Sequence, residues 1–437
     1  MKRPGVRGIT IVAVCLALTA GGAQSRVTDS APPIKIGLLA DCSGFYGAFG
    51  DFAFAGAELA LIQQRARTAG PSPRDGVSGA ALLGHPIRIF LGCADGSPAS
   101  ALEQARRLVE TVGVGILIGP LNGDEELALQ GYARRWPAIA FVNGSAALQL
   151  RHPAPNFFSF HADGAQWDAG LGSYAFHTLG WRRVVTITDV HDAFNWAQTA
   201  GFDAEFCSLG GTITKRIGVP SGTQDLSSVA TAVPRRGVDG LFVASASNVT
   251  GALMAADPAL SRHLATRLLT GIFALPGTVH GARIHGFVYA DTSSPAGGRY
   301  GSYVKALRTA FPHLDMGFEA VFDQDYYGAM LAALAALRVA HGDLAHGERA
   351  FLGALARVHL VTPQGPVRLD ADHQAIVTIS LRKVTGATVY ATRLLRSIPN
   401  VHAAFGGYFN DHDPPPTPAS PACTRGHVPP WAVAPKP

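Results

Sequence analysis

The sequence is poor in lysine, in charge and in catalytic motifs, and each shortage excludes a class of function. Charged residues make up 15% of the 437 residues, and only six of the 36 basic side chains are lysines. No basic run with interleaved aromatic residues occurs, so the net charge of +5 does not indicate nucleic-acid binding. CxxC pairs and zinc-type Cys/His spacings are missing, as are the GxSxG, GxGxxG and P-loop patterns. These absences argue against a zinc site, a nucleophile elbow and a nucleotide-phosphate site.

Only one apolar run is long enough to suggest export, and it lies at the N-terminus. Lys2, Arg3 and Arg7 precede the apolar run 9–20, and small residues follow it. This order predicts a signal peptide, residues 1–23, because the run is too short for a transmembrane helix of about 20 residues. Its removal takes away three positive charges, so the net charge falls from +5 to +2. We therefore expect a protein in the periplasm or otherwise outside the cytoplasm, without a direct membrane span.

Four cysteines remain after the signal peptide, and export makes disulfides possible. Cys42 ends the first predicted strand and Cys93 ends the second. If these strands are neighbours in a parallel sheet, both thiols lie at the same sheet edge, where a disulfide is possible. A bond between Cys207 and Cys423 follows only by elimination. The alternative is four unpaired thiols that are small and partly buried.

Short strands and helices alternate along most of the chain, which predicts an α/β fold with two parallel sheets flanked by helices. The strand ends and helix N-termini of such a fold face a ligand crevice. A proline-rich tail, residues 411–437, should be largely unstructured unless Cys423 attaches it. The predicted strands are 34–40, 87–91, 114–118, 138–142, 183–188, 213–219, 240–244, 267–272 and 287–290, with an antiparallel pair at 367–370 and 376–384. The predicted helices are 50–63, 99–110, 124–135, 165–179, 196–209, 225–234, 300–310, 324–340 and 348–355.

Five stretches of the sequence, taken in order, carry a family resemblance. They are 36–39 with 43–46 and 56–60, 83–87 with 95–98 and 105–108, 118–121, 325–329, and 362–370. Together they resemble the periplasmic binding proteins of the branched-chain amino-acid type, the type I solute-binding proteins of ABC importers.

The resemblance implies a Venus-flytrap protein with two lobes, each a mostly parallel sheet flanked by helices, that close on a ligand by hinge motion. Lobe one would contain 34–150 and 290–360, and lobe two 151–289 and 361–400, with crossings near 148–155, 287–292 and 359–372. It also implies a small-molecule ligand and a membrane permease as partners, with no enzyme activity and no cofactor. The alternative is a periplasmic ligand sensor of the same fold that acts on a signalling partner.

The implied ligand site lies between the lobes, where backbone N–H groups and helix N-termini stabilise a ligand carboxylate. Asn122 and Gly123 stand where the family usually supplies a serine hydroxyl, and Ala146 lacks the hydroxyl of the usual threonine. Ser245 follows a strand after which a tyrosine is usual. The ten positions that the resemblance assigns to the ligand are Tyr46, Asn122, Gly123, Gly144, Ser145, Ala146, Phe194, Trp196, Ser245 and Phe273.

The acidic residue that holds a ligand's amino group in this family has no counterpart around 271–273. A buried ammonium without a partner is costly, so a zwitterionic amino acid is a poor candidate. We therefore expect a neutral or monoanionic ligand, such as an aromatic acid or an amide. The histidine groupings at 161–163, 191–192 and 370–373 lack the ligand spacing of a zinc site, so no metal is expected.

Overall fold

The structure, a computed structural model, describes Met1, Thr417 and eleven continuous segments of the chain. These segments are 31–144, 153–190, 192–220, 222–245, 247–272, 284–292, 298–314, 322–344, 348–387, 391–409 and 419–433. The predicted signal peptide lies outside the described residues, apart from Met1.

The described residues form seventeen strands and thirteen α-helices. The strands are β1 Ile34–Asp41, β2 Arg67–Thr68, β3 Val77–Ser78, β4 Ala81–Leu82, β5 His85–Ala94, β6 Ile116–Ile118, β7 Ala140–Asn143, β8 Phe157–Ser159, β9 Arg183–Asp189, β10 Thr212–Val219, β11 Gly240–Ala244, β12 Leu268–Thr270, β13 Val288–Asp291, β14 Leu360–Thr362, β15 Gly365–Leu369, β16 Ala375–Val384 and β17 Thr392–Val401. The helices are α1 Gly50–Ile62, α2 Pro98–Arg106, α3 Gly123–Ala133, α4 Gly164–Trp167, α5 Leu171–Ser173, α6 Ala193–Ser208, α7 Ser227–Ala232, α8 Val249–Ala256, α9 Pro258–Arg262, α10 Leu264–Arg267, α11 Gly298–Ala310, α12 Phe322–Val339 and α13 Glu348–Leu355.

The first large sheet has the strand order β4-β5-β1-β6-β7-β8, and all its pairs are parallel except β4 with β5. Apolar side chains of β1 point alternately to its two faces, as in a strand buried on both sides. On one face, Ile36 and Leu38 join the core that contains α1 and α12. On the other face, Leu39 packs with residues of α3 and with residues that follow α2. This sheet with its helices is called the first lobe below.

The second sheet, with the order β10-β9-β11-β12, is parallel throughout. Its one face packs against α6, where the rings of Phe202 and Phe242 stack with centroids 4.3 Å apart. Its other face packs against α7, α8 and α9 through residues such as Leu253 and Leu260. This sheet with its helices is called the second lobe below. The predicted α/β fold with two helix-flanked parallel sheets is therefore confirmed.

A third sheet joins the late part of the chain in the order β13-β16-β15-β14, and β17 pairs with β16. All its pairs are antiparallel, including the predicted pair formed by β15 and β16. Strands β14 and β17 were not predicted. The sequence of β17 itself is rich in basic and polar residues. Its apolar residues therefore alternate only weakly, which is why the strand was not predicted.

One predicted helix, 165–179, is interrupted in the structure. It divides into α4, α5 and a π-helical turn, Tyr174–Thr178, and Gly170 separates α4 from α5 with φ of +95°. A side chain at Gly170 would lie 2.6 Å from Ile398 of β17. The positive φ favours glycine here, and a residue in this conformation interrupts the helix.

The structure contains two disulfides, Cys42–Cys93 and Cys207–Cys423. The second bond attaches the C-terminal tail to the end of α6. The tail is also held by Trp431, whose Nε1 donates to the buried Glu205 Oε1 at 2.5 Å. The described part of the tail, residues 419–433, is thus fixed to the second lobe.

Candidate functional site

Asn122 lies at the N-terminus of α3, beside the end of β1. Its Oδ1 accepts from Glu125 N at 3.0 Å, and the Glu125 side chain accepts in return from Asn122 N at 3.4 Å. The Asn122 Nδ2 lies 3.4 Å from both Asp41 Oδ2 and Gly96 O. Asn122 is therefore a helix cap that also connects two loops at the carboxyl edge of the first sheet.

Two acids that the sequence analysis did not assign to the site are buried beside Asn122. Asp41 and Glu125 each have no exposed surface. Burial raises the pKa of both carboxyls, and the nearby Asp41 raises the pKa of Glu125 further. The two carboxyls interact, which raises the pKa of Glu125 and partly offsets the effect of burial on the pKa of Asp41.

Gly144 follows β7 and is buried, as is Gly123. A Cβ at Gly144 would lie 2.4 Å from the ring of Tyr326, whose hydroxyl donates to Leu39 O. Gly144, one of the predicted ligand-binding residues, therefore lies at a point of close packing between the end of β7 and α12. The neighbouring predicted residues, Ser145 and Ala146, lie outside the described residues.

In the second lobe, Trp196 and Ser245 both reach Asp189, the last residue of β9. The Ser245 Oγ donates to Asp189 Oδ1 at 2.5 Å, and the Trp196 Nε1 donates to the Asp189 backbone oxygen at 2.5 Å. Asn195 Nδ2 donates to the other carboxyl oxygen at 2.9 Å. The structure thus brings two predicted site residues together around an acid that the prediction missed.

Phe194 lies in the first turn of α6 with its side chain in the protein interior. Its ring is 2% exposed and packs against Trp167, with centroids 6.4 Å apart. Asp192 caps this helix, because its Oδ1 accepts from Phe194 N at 2.9 Å and from Asn195 N at 3.1 Å. Phe273, predicted on the same wall, lies outside the described residues.

Tyr46 joins the two lobes directly. It follows β1 in the first lobe, and its hydroxyl donates to Asp192 Oδ2 in the second lobe. Both side chains are buried, and the Tyr46 ring packs against Phe49 and Phe322. Burial, aided by the charge of Asp189, raises the pKa of Asp192 to about 7.

The meeting point of the lobes is acidic. Besides burial, the charges of Asp192, Asp189 and Asp124 raise the pKa of Tyr46. The carboxyls near this meeting point come from Asp124, Asp189 and Asp192, which lie outside the acid-free stretch 271–273. Asp41 and Asp189 each end a strand in the sequence, and this position was the signal that could have identified them.

Two features are absent from the described residues. No helix in that part of the chain has the length and apolar character needed to cross a membrane. Likewise, the residues that the structure describes contain no group of three or more His, Cys, Asp or Glu side chains that could hold a metal ion.

Comparison with known proteins gives the family. A family model described as periplasmic binding protein matches residues 33–388, which is most of the chain. The chain therefore belongs to the periplasmic binding protein family, and its solved structural neighbours include branched-chain amino-acid binding proteins. No curated protein sequence matches it.

Solved structures share the two-lobed fold. An ABC transporter substrate-binding protein from Sphaerobacter thermophilus is 23% identical with a TM-score of 0.71, covering 84% of this chain and 98% of its own. A solute-binding protein from R. palustris, solved with benzoate, is 20% identical with a TM-score of 0.68, covering 84% and 97%. A leucine-binding protein from Thermotoga maritima is 19% identical with a TM-score of 0.65, covering 84% and 99%. At these identities the likeness establishes the fold.

Proposed function

We propose that this protein captures a small organic molecule, neutral or monoanionic, between its lobes and delivers it to the membrane permease of an ABC importer. In this proposal the signal peptide 1–23 directs the protein to the periplasm. The contact between Tyr46 and Asp192 is the observation that supports this proposal, because it joins the carboxyl edges of two separate parallel sheets. Ligands of open α/β sheets bind at such edges.

The proposed lobes follow the division expected from the sequence, with 34–150 and 290–360 in one and 151–289 and 361–400 in the other, except that β8 pairs with β7 and so belongs to the first lobe. A ligand between them would contact Tyr46 and Asn122 on one side and Trp196 and Ser245 on the other. The binding step requires no reaction, since hydrogen bonds and an apolar wall are enough to hold a small molecule.

Among the expected ligands, the acidic surroundings favour a neutral molecule with N–H donors over an anion. Asp189 and Asp192 are acceptors when ionised, and Asp124 lies close enough for its charge to raise the pKa of Asp192. A carboxylate placed among them would be repelled, whereas an amide N–H group would find acceptors. An aromatic amide therefore fits this site best. The benzoate complex of the R. palustris protein makes the aromatic acid the natural compound for comparison.

The test is a thermal-shift titration with benzamide, benzoate and leucine. A ligand at one hundred times its Kd stabilises the folded state by about 2.7 kcal/mol, which raises the Tm by several degrees. We expect benzamide to raise the Tm more than benzoate does. If leucine raises the Tm more than benzamide does, the ligand class is an amino acid and not an amide. If none of a broad panel of small amides, acids and amino acids shifts the Tm, the proposal of capture is wrong.

Delivery needs a separate measurement. Cells that lack the protein should take up the bound compound more slowly than cells that produce it, and Asp192→Ala should not restore uptake. Equal uptake with and without the protein would argue against delivery and in favour of a sensor.

A further inference from the structure

The turn between β1 and α1, residues 42–49, is packed tightly against the loop that follows β5. Gly44 has φ of +74°, and a Cβ on it would lie 2.0 Å from Asp95 O. Within the turn, Phe49 N donates to Tyr46 O at 2.8 Å. The turn therefore has little room to shift relative to the end of β5.

A covalent bond fixes the same turn at its first residue. Cys42 N donates to Ala94 O at 2.9 Å, which continues the pairing of β1 with β5. The Cys42–Cys93 disulfide joins the ends of these two strands, with Cα atoms 5.1 Å apart. A crosslink at this position removes conformations in which the turn separates from β5.

This turn carries the two aromatic residues that reach the second lobe. The hydroxyl of Tyr46 donates to Asp192 Oδ2 in the interior. Phe45, which is 41% exposed, lies at the rim, where a Cβ on Gly222 would be 3.4 Å from its ring. The turn thus meets the second lobe at an inner and an outer point.

The other disulfide lies elsewhere. Asp192 caps the N-terminus of α6, whereas Cys207 is in its last turn, about 20 Å away at 1.5 Å per residue. The Cys207–Cys423 bond connects α6 to the C-terminal tail, within the second lobe. Removal of the Cys207–Cys423 bond is therefore a control for removal of the Cys42–Cys93 bond.

We infer that the Cys42–Cys93 disulfide is a positioning element for lobe closure, which holds Tyr46 where its hydroxyl meets Asp192. The Cys207–Cys423 disulfide stabilises the second lobe and has no part in closure. This inference rests on the proposed capture of a ligand by closing lobes. A positioned donor forms its hydrogen bond at a smaller loss of conformational freedom than a mobile one.

The test combines Tyr46→Phe with removal of each disulfide and needs no ligand. The Tm is measured for Tyr46→Phe in the unchanged protein, in Cys42→Ala/Cys93→Ala and in Cys207→Ala/Cys423→Ala. Loss of a buried hydrogen bond to a carboxyl group should lower the Tm by about 2–3 °C in the unchanged protein. We expect the same decrease without Cys207–Cys423 and less than half of it without Cys42–Cys93.

A Tyr46→Phe effect of equal size in all three backgrounds would overturn the inference, as would no effect in the unchanged protein. If Cys42→Ala/Cys93→Ala does not fold, Gly44→Ala decides, because it displaces the same turn with both disulfides intact. Gly44→Ala should also diminish the effect of Tyr46→Phe, and an undiminished effect contradicts the inference. These Tm measurements use no ligand. If they contradict the inference, the result of the ligand titration is unaffected, and if the titration finds no ligand, the result of these measurements is unaffected.

Discussion

Glu58 in α1 provides a prediction in which the sign and the pH dependence both follow from burial. Its side chain has no exposed surface, and neither carboxyl oxygen has a hydrogen-bond partner in the described part of the chain. Burial raises the pKa of Glu58 from 4.5 to about 9, with a smaller contribution from the charge of Asp75. Glu58 is therefore a neutral acid at neutral pH in the folded protein.

The unfolded chain releases the Glu58 proton near pH 4.5, whereas the folded protein keeps it until about pH 9. Stability therefore falls as pH rises between these values, by at most about 1.4 kcal/mol per pH unit. At pH 7.5 the accumulated cost is about 4 kcal/mol as an upper bound. Below pH 4.5 the group is protonated in both states, so the cost disappears.

Glu58→Gln removes this cost and introduces a buried amide donor, which costs about 1–3 kcal/mol at every pH. The variant should be less stable than the unchanged protein near pH 5 and more stable, by about 1–3 kcal/mol, near pH 7.5. Urea unfolding followed by circular dichroism at pH 5, 6, 7, 8 and 9 measures the difference. Glu103→Gln, at an exposed position of α2, is the matched control and should give no such trend. A difference that stays constant from pH 5 to pH 9 would refute the reasoning.

Two further predictions concern the cap of α3 and the tail. Asn122→Ala should lower the free energy of unfolding by about 1 kcal/mol in urea titrations, because Glu125 N loses its capping acceptor. Asn122→Ser keeps an acceptor and should restore most of that loss; no recovery would mean that the contact with Asp41 matters more. Trp431→Phe should lower the Tm by a few degrees and speed tryptic cleavage after Arg425, because Glu205 loses one of its donors. An unchanged cleavage rate would show that Cys423 alone holds the tail.

Local patterns explain why much of the fold was predictable. The β1 strand and α1 helix are each encoded by a short segment, and an apolar strand followed by a turn and a helix is typical of parallel α/β folds. Even the suggestion of a Cys42–Cys93 bond needed only the assumption that neighbouring strands end at one edge. Where the pattern was weak, as in β17, the prediction missed the strand.

The candidate site was less accessible from the sequence. Tyr46 lies in the turn after β1, close to the first strand in sequence, but its partner Asp192 is 146 positions away along the chain. Asp41 and Glu125 read as the end of a strand and the start of a helix, where acids are common. The raised pKa values of these two carboxyls depend on burial, which no local pattern reports.

The sequence by itself determined most of the order of strands and helices, because these elements depend on interactions between residues a few positions apart, and the order of its motifs indicated the family. The tertiary structure alone decided that the lobes meet through Tyr46 and Asp192 and that their meeting point is acidic. Such contacts depend on how two separately formed sheets are placed against each other, and burial at that contact then changes the pKa values of its carboxyls.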